Sequence, residues 1–327
     1  MEYVRLANVL GAALFVFLGT IAEVLAQSAP PDEDVTFSSL TMTDEQFLKG
    51  DRAGAKSVTL TAKLRLPSSS QAGVPAVILL HGSDGPASAL PWNWAKVLNR
   101  IGIATLLIDS YSGRGFEEIF TDQGRVGEFN NIVDTYRALD LLASDPRIDP
   151  TRIAVMGFSR GGIAALYSSM TRFEELYGSD KATLAAHLPF YPPCNFALEG
   201  ELDVGTAPIR AFHGEADVWN PVPPCRDYVD RLEAAGHDAT ITIYPAAHHA
   251  FDHPGSPSYN AKDDAQTSRK CFRREEGGRL INADSGQPFS WKDACVEIGP
   301  AVQYNSAAAD AAEKRVKEFF ARAFNLK

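Results

Sequence analysis

The sequence has no excess of basic residues and, beyond its first 26 residues, no apolar run long enough to cross a membrane. Its 31 lysines and arginines are outnumbered by 41 aspartates and glutamates, so the net charge is −10 at pH 7. This balance argues against nucleic acid or an anionic membrane surface as a partner. The chain also lacks internal repeats and low-complexity tracts. Its 45% hydrophobic residues are typical of a globular protein.

The apolar run at the start of the chain, Leu6–Leu25, is typical of an export signal. Val24–Ala26 provides a signal-peptidase site directly before Gln27. An uncleaved membrane anchor is the alternative, because the run approaches the length that spans a bilayer. Glu23 and the cleavage site favour removal. We therefore expect residues 1–26 to be a signal peptide, and the mature protein to be periplasmic or secreted without stable membrane insertion.

Apolar runs and helical patterns alternate along the rest of the chain. Residues 27–56 are predicted to form a Pro-rich, acidic linker and a first strand, and Ser57–Leu66 alternates as a half-buried antiparallel strand does. The buried strands predicted next are Ala76–Leu80, Ile103–Ile108, Arg152–Met156, Ala185–Tyr191, Ile209–Phe212 and Ala239–Tyr244. The predicted helices are Trp92–Ile101, Asn130–Ala143, Arg160–Met170, Arg226–Ala235 and Ala307–Phe324.

This alternation indicates an α/β fold, with a mostly parallel central sheet covered by helices on both faces. The domain is expected to occupy residues 57–327. Residues 254–304 follow neither the strand nor the helix pattern, so we interpret them as an insertion before the last helix.

A Gly-x-Ser-x-Gly motif, Gly157–Gly161, lies between a predicted strand and a predicted helix. The pattern alone is weak, but this context is that of the nucleophile elbow of α/β-hydrolases. The sharp turn lifts the Ser159 hydroxyl above the sheet, and the helix N-terminus that follows favours developing negative charge. A strand–helix turn with a capping serine is the alternative. We predict that Ser159 is a nucleophile.

A serine nucleophile needs a base, and in this fold the acid and the histidine follow the serine in that order, each after a strand. Asp217 follows the strand Ile209–Phe212, and His249 follows the strand Ala239–Tyr244. We predict that Asp217 orients His249 and that His249 activates the serine. The rival acids are Glu215 and Asp252, and the rival base is His248.

The oxyanion of a tetrahedral intermediate requires hydrogen-bond donors near the nucleophile. The segment His81-Gly82-Ser83 follows the strand Ala76–Leu80, at the position of the oxyanion loop in this fold. The backbone N–H groups of Ser83 and Arg160 are therefore the expected donors. We expect His81 to brace this loop rather than take part in the chemistry.

Three further residues are candidates for the substrate pocket. Arg114 follows a strand at the edge of the sheet where ligands bind in α/β proteins. It could pair with a substrate carboxylate or brace its own loop. Tyr191 and Trp219 could be pocket walls or packing residues.

These motifs together resemble the dienelactone hydrolase family. The resemblance covers Ser57–Phe251 and the last helix. The matching segments are His81–Gly82, Gly157–Gly162, Gly214–Asp217 and Tyr244–Phe251. It implies hydrolysis of a small-molecule carboxylic ester or lactone, with no metal and no cofactor. Two departures argue against dienelactone itself as the substrate: Ser159 stands where the cytoplasmic enzymes have cysteine, and Gly82 stands where they have glutamate.

Cysteine is scarce, but four cysteines in a chain with an export signal are disulfide candidates. Cys194 and Cys225 should lie at the carboxyl ends of neighbouring strands in this fold, close enough to bond. Cys271 and Cys295 enclose a polar segment too poor in apolar residues to order itself by burial. We predict both disulfides.

The sequence thus predicts an exported serine esterase that works through an acyl-enzyme. Two alternatives remain. One is a peptidase of the prolyl-oligopeptidase type, which shares the order of the triad but would need a propeller domain. The other is a binding protein on a hydrolase scaffold without activity, although no triad residue is missing.

Overall fold

The computed structural model describes residues 31–68 and 73–326, so the expected signal peptide lies outside the described residues. The strands are β1 (Glu33–Thr41), β2 (Lys56–Arg65), β3 (Val74–Leu80), β4 (Ala104–Asp109), β5 (Ile148–Phe158), β6 (His187–Phe190), β7 (Phe196–Ala197), β8 (Ile209–Gly214), β9 (Ala239–Tyr244), β10 (Asn260–Ala261), β11 (Gln266–Thr267), β12 (Arg273–Glu275), β13 (Leu280–Asn282), β14 (Glu297–Ile298) and β15 (Ala301–Val302). The α-helices are α1 (Asp44–Leu48), α2 (Ala89–Arg100), α3 (Asn130–Ala143), α4 (Arg160–Tyr167), α5 (Thr171–Tyr177), α6 (Val222–Ala234) and α7 (Ser306–Ala323). Short 3₁₀ turns occupy Ser112–Arg114 and Gln123–Arg125.

The central sheet has eight strands in the order β1-β2-β4-β3-β5-β6-β8-β9. The first two pairings are antiparallel, and every pairing from β4 to β9 is parallel. The carboxyl ends of the parallel strands therefore meet along one edge, where the loops after β3, β5, β6, β8 and β9 come together. This is the α/β-hydrolase fold expected from the sequence.

Two apolar layers bury the faces of the sheet. One face packs against α3, α4 and α6, and the other packs against α2 and α7. Apolar residues recur on one side of each helix at helical spacing; in α7 they are Ala312, Val316 and Phe320. Both faces of β3 are buried, so its sequence is continuously apolar rather than alternating.

The predicted helix Arg160–Met170 is shorter than expected. The helix α4 ends at Tyr167, and a separate helix, α5, begins at Thr171. Between them, Met170 forms an isolated antiparallel bridge with Val204, a contact that a helical backbone could not make. The pairing of Met170 with Val204, in a distant loop, therefore ends the helix earlier than the local helical pattern predicts.

Residues 254–304, interpreted above as an insertion, are in contact with the core. Their strand β12 pairs with β7. Val302 of β15 bridges to His249 in the loop after β9, and the N–H of Gln266 in β11 donates to the carbonyl oxygen of Phe120 in the segment after β4. The fully buried guanidinium of Arg273 pairs with Glu128 and lies between the rings of Phe196 and Phe289. Within the described residues, no helix has the length and apolarity needed to span a bilayer.

Candidate active site

Ser159 sits in a tight turn between β5 and α4, with φ at +52° and ψ at −114°. A left-handed φ is unfavourable for a residue with a side chain, and such strain is common at functional sites. The turn also requires glycine nearby. A Cβ on Gly161 would lie 2.6 Å from the carbonyl oxygens of Leu80 and His81, and a Cβ on Gly157 would collide with the Gly161 carbonyl.

The structure brings Ser159, His249 and Asp217 into one line of hydrogen bonds. The Nε2 atom of His249 lies 3.0 Å from Ser159 Oγ, and its Nδ1 atom lies 2.8 Å from Asp217 Oδ2. His249 and Asp217 are buried. With Nδ1–H donated to the carboxylate, Nε2 is left free to accept the serine proton.

Asp217 is held in place by its own loop. Its Oδ1 atom accepts hydrogen bonds from the backbone N–H groups of Trp219 and Asn220, both at 2.8 Å. The Asn220 side chain in turn donates to the carbonyl oxygen of Tyr191 at 2.9 Å. These bonds leave Oδ2 to face His249, so the carboxylate has one orientation.

The rival residues have other positions. Glu215 is exposed. Asp252 is buried and accepts hydrogen bonds from Trp94 Nε1 at 2.7 Å and from the Tyr191 hydroxyl at 2.8 Å. Burial raises the pKa of Asp252 despite these bonds. The ring of His248 packs edge-on against Tyr259, 5.2 Å between ring centroids.

Tyr191 and Trp219 both contact the His249 ring. The ring centroid of Tyr191 lies 4.7 Å from that of His249, and the ring centroid of Trp219 lies 5.1 Å from it. Both residues line the cavity that opens beside Ser159. Tyr191 is buried, and its hydroxyl donates a hydrogen bond to Asp252. This bond fixes the tyrosine ring that packs against His249.

The residues of both expected oxyanion donors, Ser83 and Arg160, line the same cleft as Ser159. Within residues 31–68 and 73–326, the backbone N–H groups of Ser83 and Arg160 donate to no protein acceptor, which leaves them available to a ligand. The oxyanion loop is braced by His81, whose Nε2 accepts the N–H of Ser110 at 3.2 Å. Burial lowers the pKa of His81, which keeps the ring neutral for this contact.

Gln123 connects the two oxyanion residues, and sequence reasoning did not identify it. Its amide donates to Ser83 Oγ at 3.1 Å, and its carbonyl oxygen lies 3.4 Å from a guanidinium nitrogen of Arg160. Its backbone N–H donates to the side chain of Gln266 in the insertion at 2.9 Å. Arg160 also donates to the carbonyl oxygen of Val126 at 2.5 Å. No local sequence signal distinguishes Gln123 or Asn220 from ordinary loop residues.

The substrate-binding role considered for Arg114 is wrong. Its side chain is 1% exposed, and its guanidinium forms a bidentate ion pair with the buried carboxylate of Asp134. Its remaining donors bind the carbonyl oxygens of Leu40 and Ser110 and the hydroxyl of Thr41. All of its hydrogen-bonding capacity is used inside the protein, so Arg114 braces its loop against β1 and α3.

Both pairs of cysteines are bonded in the structure, in the expected pairing. The Cα atoms of Cys194 and Cys225 are 4.9 Å apart, and those of Cys271 and Cys295 are 5.2 Å apart. The first bond joins the segment after β6 to α6, close to the loop of Asp217. The second closes part of the insertion.

Comparison with known proteins gives relatives of several kinds. A protein named as a carboxymethylenebutenolidase in Yersinia pestis is 27% identical over 44% of this chain and 60% of that protein. An acylamino-acid-releasing enzyme of Oryza sativa subsp. japonica is 23% identical over 56% of this chain and 28% of that protein. The chain thus spans less than two thirds of these relatives. A protein named as an esterase in Nocardia uniformis is 24% identical over 89% of this chain and 92% of that protein.

Among solved structures, the propionate-bound esterase Est2 of Thermogutta terrifontis is similar, with a TM-score of 0.48 and 17% identity. The match covers 60% of this chain and 82% of that chain. The model of the dienelactone hydrolase family matches residues 64–273, which is more than half of the sequence, and the chain therefore belongs to that family.

Proposed function

We propose that this protein hydrolyses carboxylic esters or lactones through an acyl-enzyme, with Ser159 as nucleophile, His249 as base and Asp217 as the residue that orients it. The observation that carries the proposal is the unbroken line of hydrogen bonds from Asp217 Oδ2 through His249 to Ser159 Oγ. Family membership supports the same chemistry.

In the first half of the reaction, Ser159 Oγ attacks the ester carbonyl carbon while His249 Nε2 takes its proton. Negative charge develops on the carbonyl oxygen, where the N–H groups of Ser83 and Arg160 stabilise it. The bond to the leaving oxygen then breaks, and His249 donates its proton to the alcohol. Asp217 stabilises the imidazolium in between.

In the second half, water attacks the acyl carbon and His249 takes a proton from that water. The tetrahedral intermediate uses the same two N–H donors. When it collapses, the acid leaves and His249 returns the proton to Ser159 Oγ. The N–H donors of Ser83 and Arg160 act in both halves of the reaction, and so does His249. Loss of the donors or of the base should therefore slow both acylation and deacylation.

The test is Ser159→Ala, with Ser256→Ala as a matched control from the same cavity. We expect Ser159→Ala to stay folded and to lose ester turnover by about 10⁴–10⁶-fold. A fluorophosphonate probe should label the parent and Ser256→Ala but not Ser159→Ala. Labelling that persists in Ser159→Ala would contradict the assignment of the nucleophile.

A second candidate is the release of N-acylated amino acids from peptides, which the relatives named acylamino-acid-releasing enzymes support. The triad order is common to both activities. N-acetylalanine p-nitroanilide and p-nitrophenyl acetate, assayed side by side, separate them. We expect turnover of the ester to exceed that of the amide by a large factor.

We further propose that the chain is exported to the periplasm or the medium. The two disulfides support this, because such bonds persist in oxidising compartments. The mature N-terminus, measured by mass spectrometry on protein purified from the producing cell, should be Gln27. Intact Met1 on soluble cytoplasmic protein would contradict export.

A further inference from the structure

The side-chain hydroxyl of Ser83 is buried close to the nucleophile. Ser83 is 4% exposed and lines a cleft together with Ser159 and Arg160. Its loop packs against the nucleophile turn, where a Cβ added to Gly82 would lie 3.4 Å from Ser159 Cβ. Across the described residues, the only hydrogen bond of Ser83 Oγ is one that it accepts, from Gln123 Nε2 at 3.1 Å.

The direction of this hydrogen bond is fixed by Arg160. The side-chain oxygen of Gln123 lies 3.4 Å from a guanidinium nitrogen of Arg160. A guanidinium only donates hydrogen bonds, so the end of the amide that faces it must be the oxygen. The NH₂ end therefore faces Ser83, and Ser83 Oγ must accept. A serine hydroxyl that accepts at its oxygen still has its own proton to donate to a second partner.

The oxyanion of the tetrahedral intermediate is the partner that the position of this hydroxyl favours. The backbone N–H of Ser83 is already an expected donor to that oxygen. Only two carbon atoms separate the nitrogen and the Oγ of a serine, so one acceptor can lie about 3 Å from both. Gln123, which orients the hydroxyl, lines the same cleft as both expected donor residues.

The chain of hydrogen bonds behind the hydroxyl strengthens it as a donor. The chain begins at the Arg160 guanidinium, which is always charged, and passes through the Gln123 amide to Ser83 Oγ. Arg160 is 5% exposed, so water screens its charge little. Hydrogen bonds in such a chain polarise one another. The Ser83 hydroxyl therefore stabilises negative charge better than an isolated serine would.

We propose that the Ser83 hydroxyl is a third oxyanion donor and that Gln123 is the residue that positions it. The proposal rests on the proposed function. When Ser159 Oγ bonds to the carbonyl carbon, the π electron pair moves to the carbonyl oxygen. The Ser83 hydroxyl donates a hydrogen bond to that oxygen and keeps its proton. The same hydrogen bond forms again when water attacks the acyl-enzyme.

The test is Ser83→Ala, which removes the hydroxyl and keeps the backbone N–H. We expect kcat on p-nitrophenyl acetate to fall about 10²-fold, the loss typical of one missing oxyanion donor. KM should stay within about twofold, because the bond is made in the transition state rather than in the bound ester. Ser256→Ala is the matched control, since this buried serine lines the neighbouring cavity but not the cleft. Its kcat should stay within about twofold of the parent.

A transition-state analogue separates this role from a structural one. Phenylboronic acid bonds to a serine nucleophile as a tetrahedral adduct with an oxygen at the oxyanion position. Its Ki should therefore rise at least about tenfold in Ser83→Ala, while KM for the ester does not change. An unchanged Ki in the folded variant would show that the hydroxyl does not bind the oxyanion.

A double-mutant cycle with Gln123→Ala tests the positioning role. If Gln123 acts through the hydroxyl, the double variant should have the kcat of Ser83→Ala alone. A loss equal to the product of the two single losses would show that Gln123 acts by another route, and would overturn its part in the proposal.

Ser83→Cys keeps the size of the side chain but has only a weak donor, so its kcat should also fall at least about tenfold. This variant decides the question if Ser83→Ala does not fold. A kcat within about threefold of the parent in either folded variant overturns this inference. If Ser159 is still labelled by a fluorophosphonate, the proposed function survives that result. If the parent neither hydrolyses the ester nor is labelled at Ser159, the proposed function fails, and this inference fails with it.

Discussion

Replacing Cys194 and Cys225 by alanine removes the disulfide that joins the segment after β6 to α6. The two cysteines are 31 residues apart, and for a loop of this size the chain-entropy model gives a loss of roughly 3–4 kcal/mol in the free energy of unfolding. For a domain of about 300 residues this loss lowers Tm by roughly 5 °C. Both side chains lie in the apolar core, so alanine leaves no buried polar group without a partner.

The bond should also affect catalysis. The segment of Cys194 and the loop of Asp217 are joined a second time, by the hydrogen bond from Asn220 to the Tyr191 carbonyl oxygen. With the disulfide gone, only hydrogen bonds hold the acid loop beside this segment, among them the bond from Asn220 and the bond from the Tyr191 N–H to the Phe212 carbonyl oxygen. We expect kcat to fall about 3–10-fold, less than the roughly 100-fold that a full 1 Å misplacement can cause.

The assay compares Tm by calorimetry and kcat on p-nitrophenyl acetate at one temperature where all proteins are folded. The matched control is Cys271→Ala/Cys295→Ala, which removes a bond of similar span, 24 residues, inside the insertion. Both variants should lose similar stability, but the control should keep its kcat. Equal kcat in the parent and both variants would refute the link to Asp217. Free thiols in the denatured parent would refute the bond.

Three further predictions concern other parts of the molecule. His249→Ala should abolish turnover and His248→Ala should change kcat by less than about tenfold, since one imidazole reaches the serine; exchanged effects would contradict the assignment. Gln123→Ala should lower kcat about tenfold with KM within about twofold, because it loosens the oxyanion donors; a change confined to KM would contradict this role. Burial lowers the pKa of His187 to about 4 from 6.5, so the unfolded chain binds its proton first as pH falls. The parent should therefore lose roughly 3 kcal/mol more stability than His187→Gln between neutral pH and pH 4, measured by urea unfolding; equal losses would show that His187 is protonated without cost.

Local sequence signals determined most of the elements. The helix α3 and the strand β9 have the predicted bounds, because helical periodicity and a β-branched run are properties of a single segment. The Gly-x-Ser-x-Gly motif is likewise a local signal, because its two glycines lie where the tight turn leaves no space for a Cβ. Ser159, Asp217 and His249 could then be assigned to the triad, because each follows a strand that is recognisable by itself.

The remaining features depend on contacts between distant segments. The end of α4 was missed because Met170 pairs with Val204. Arg114 had the same local context for either of its two roles, and the buried charge of Asp134 decided between them, since a carboxylate in the interior needs a partner. Gln123 meets Ser83 and Arg160 only in the folded chain, where its backbone N–H also binds the side chain of Gln266, far along the chain.

The sequence by itself therefore determined the fold class, the order of the elements and the candidate residues for the chemistry, because each is encoded within a short stretch of chain. The tertiary structure alone decided which side chains meet and how much space they leave. The cleft beside Ser159 that Arg160, Pro193 and Trp291 line shows the reason, because these residues come from three separate segments. Its volume is set by how these segments pack, and packing is a property of the whole core rather than of any one segment.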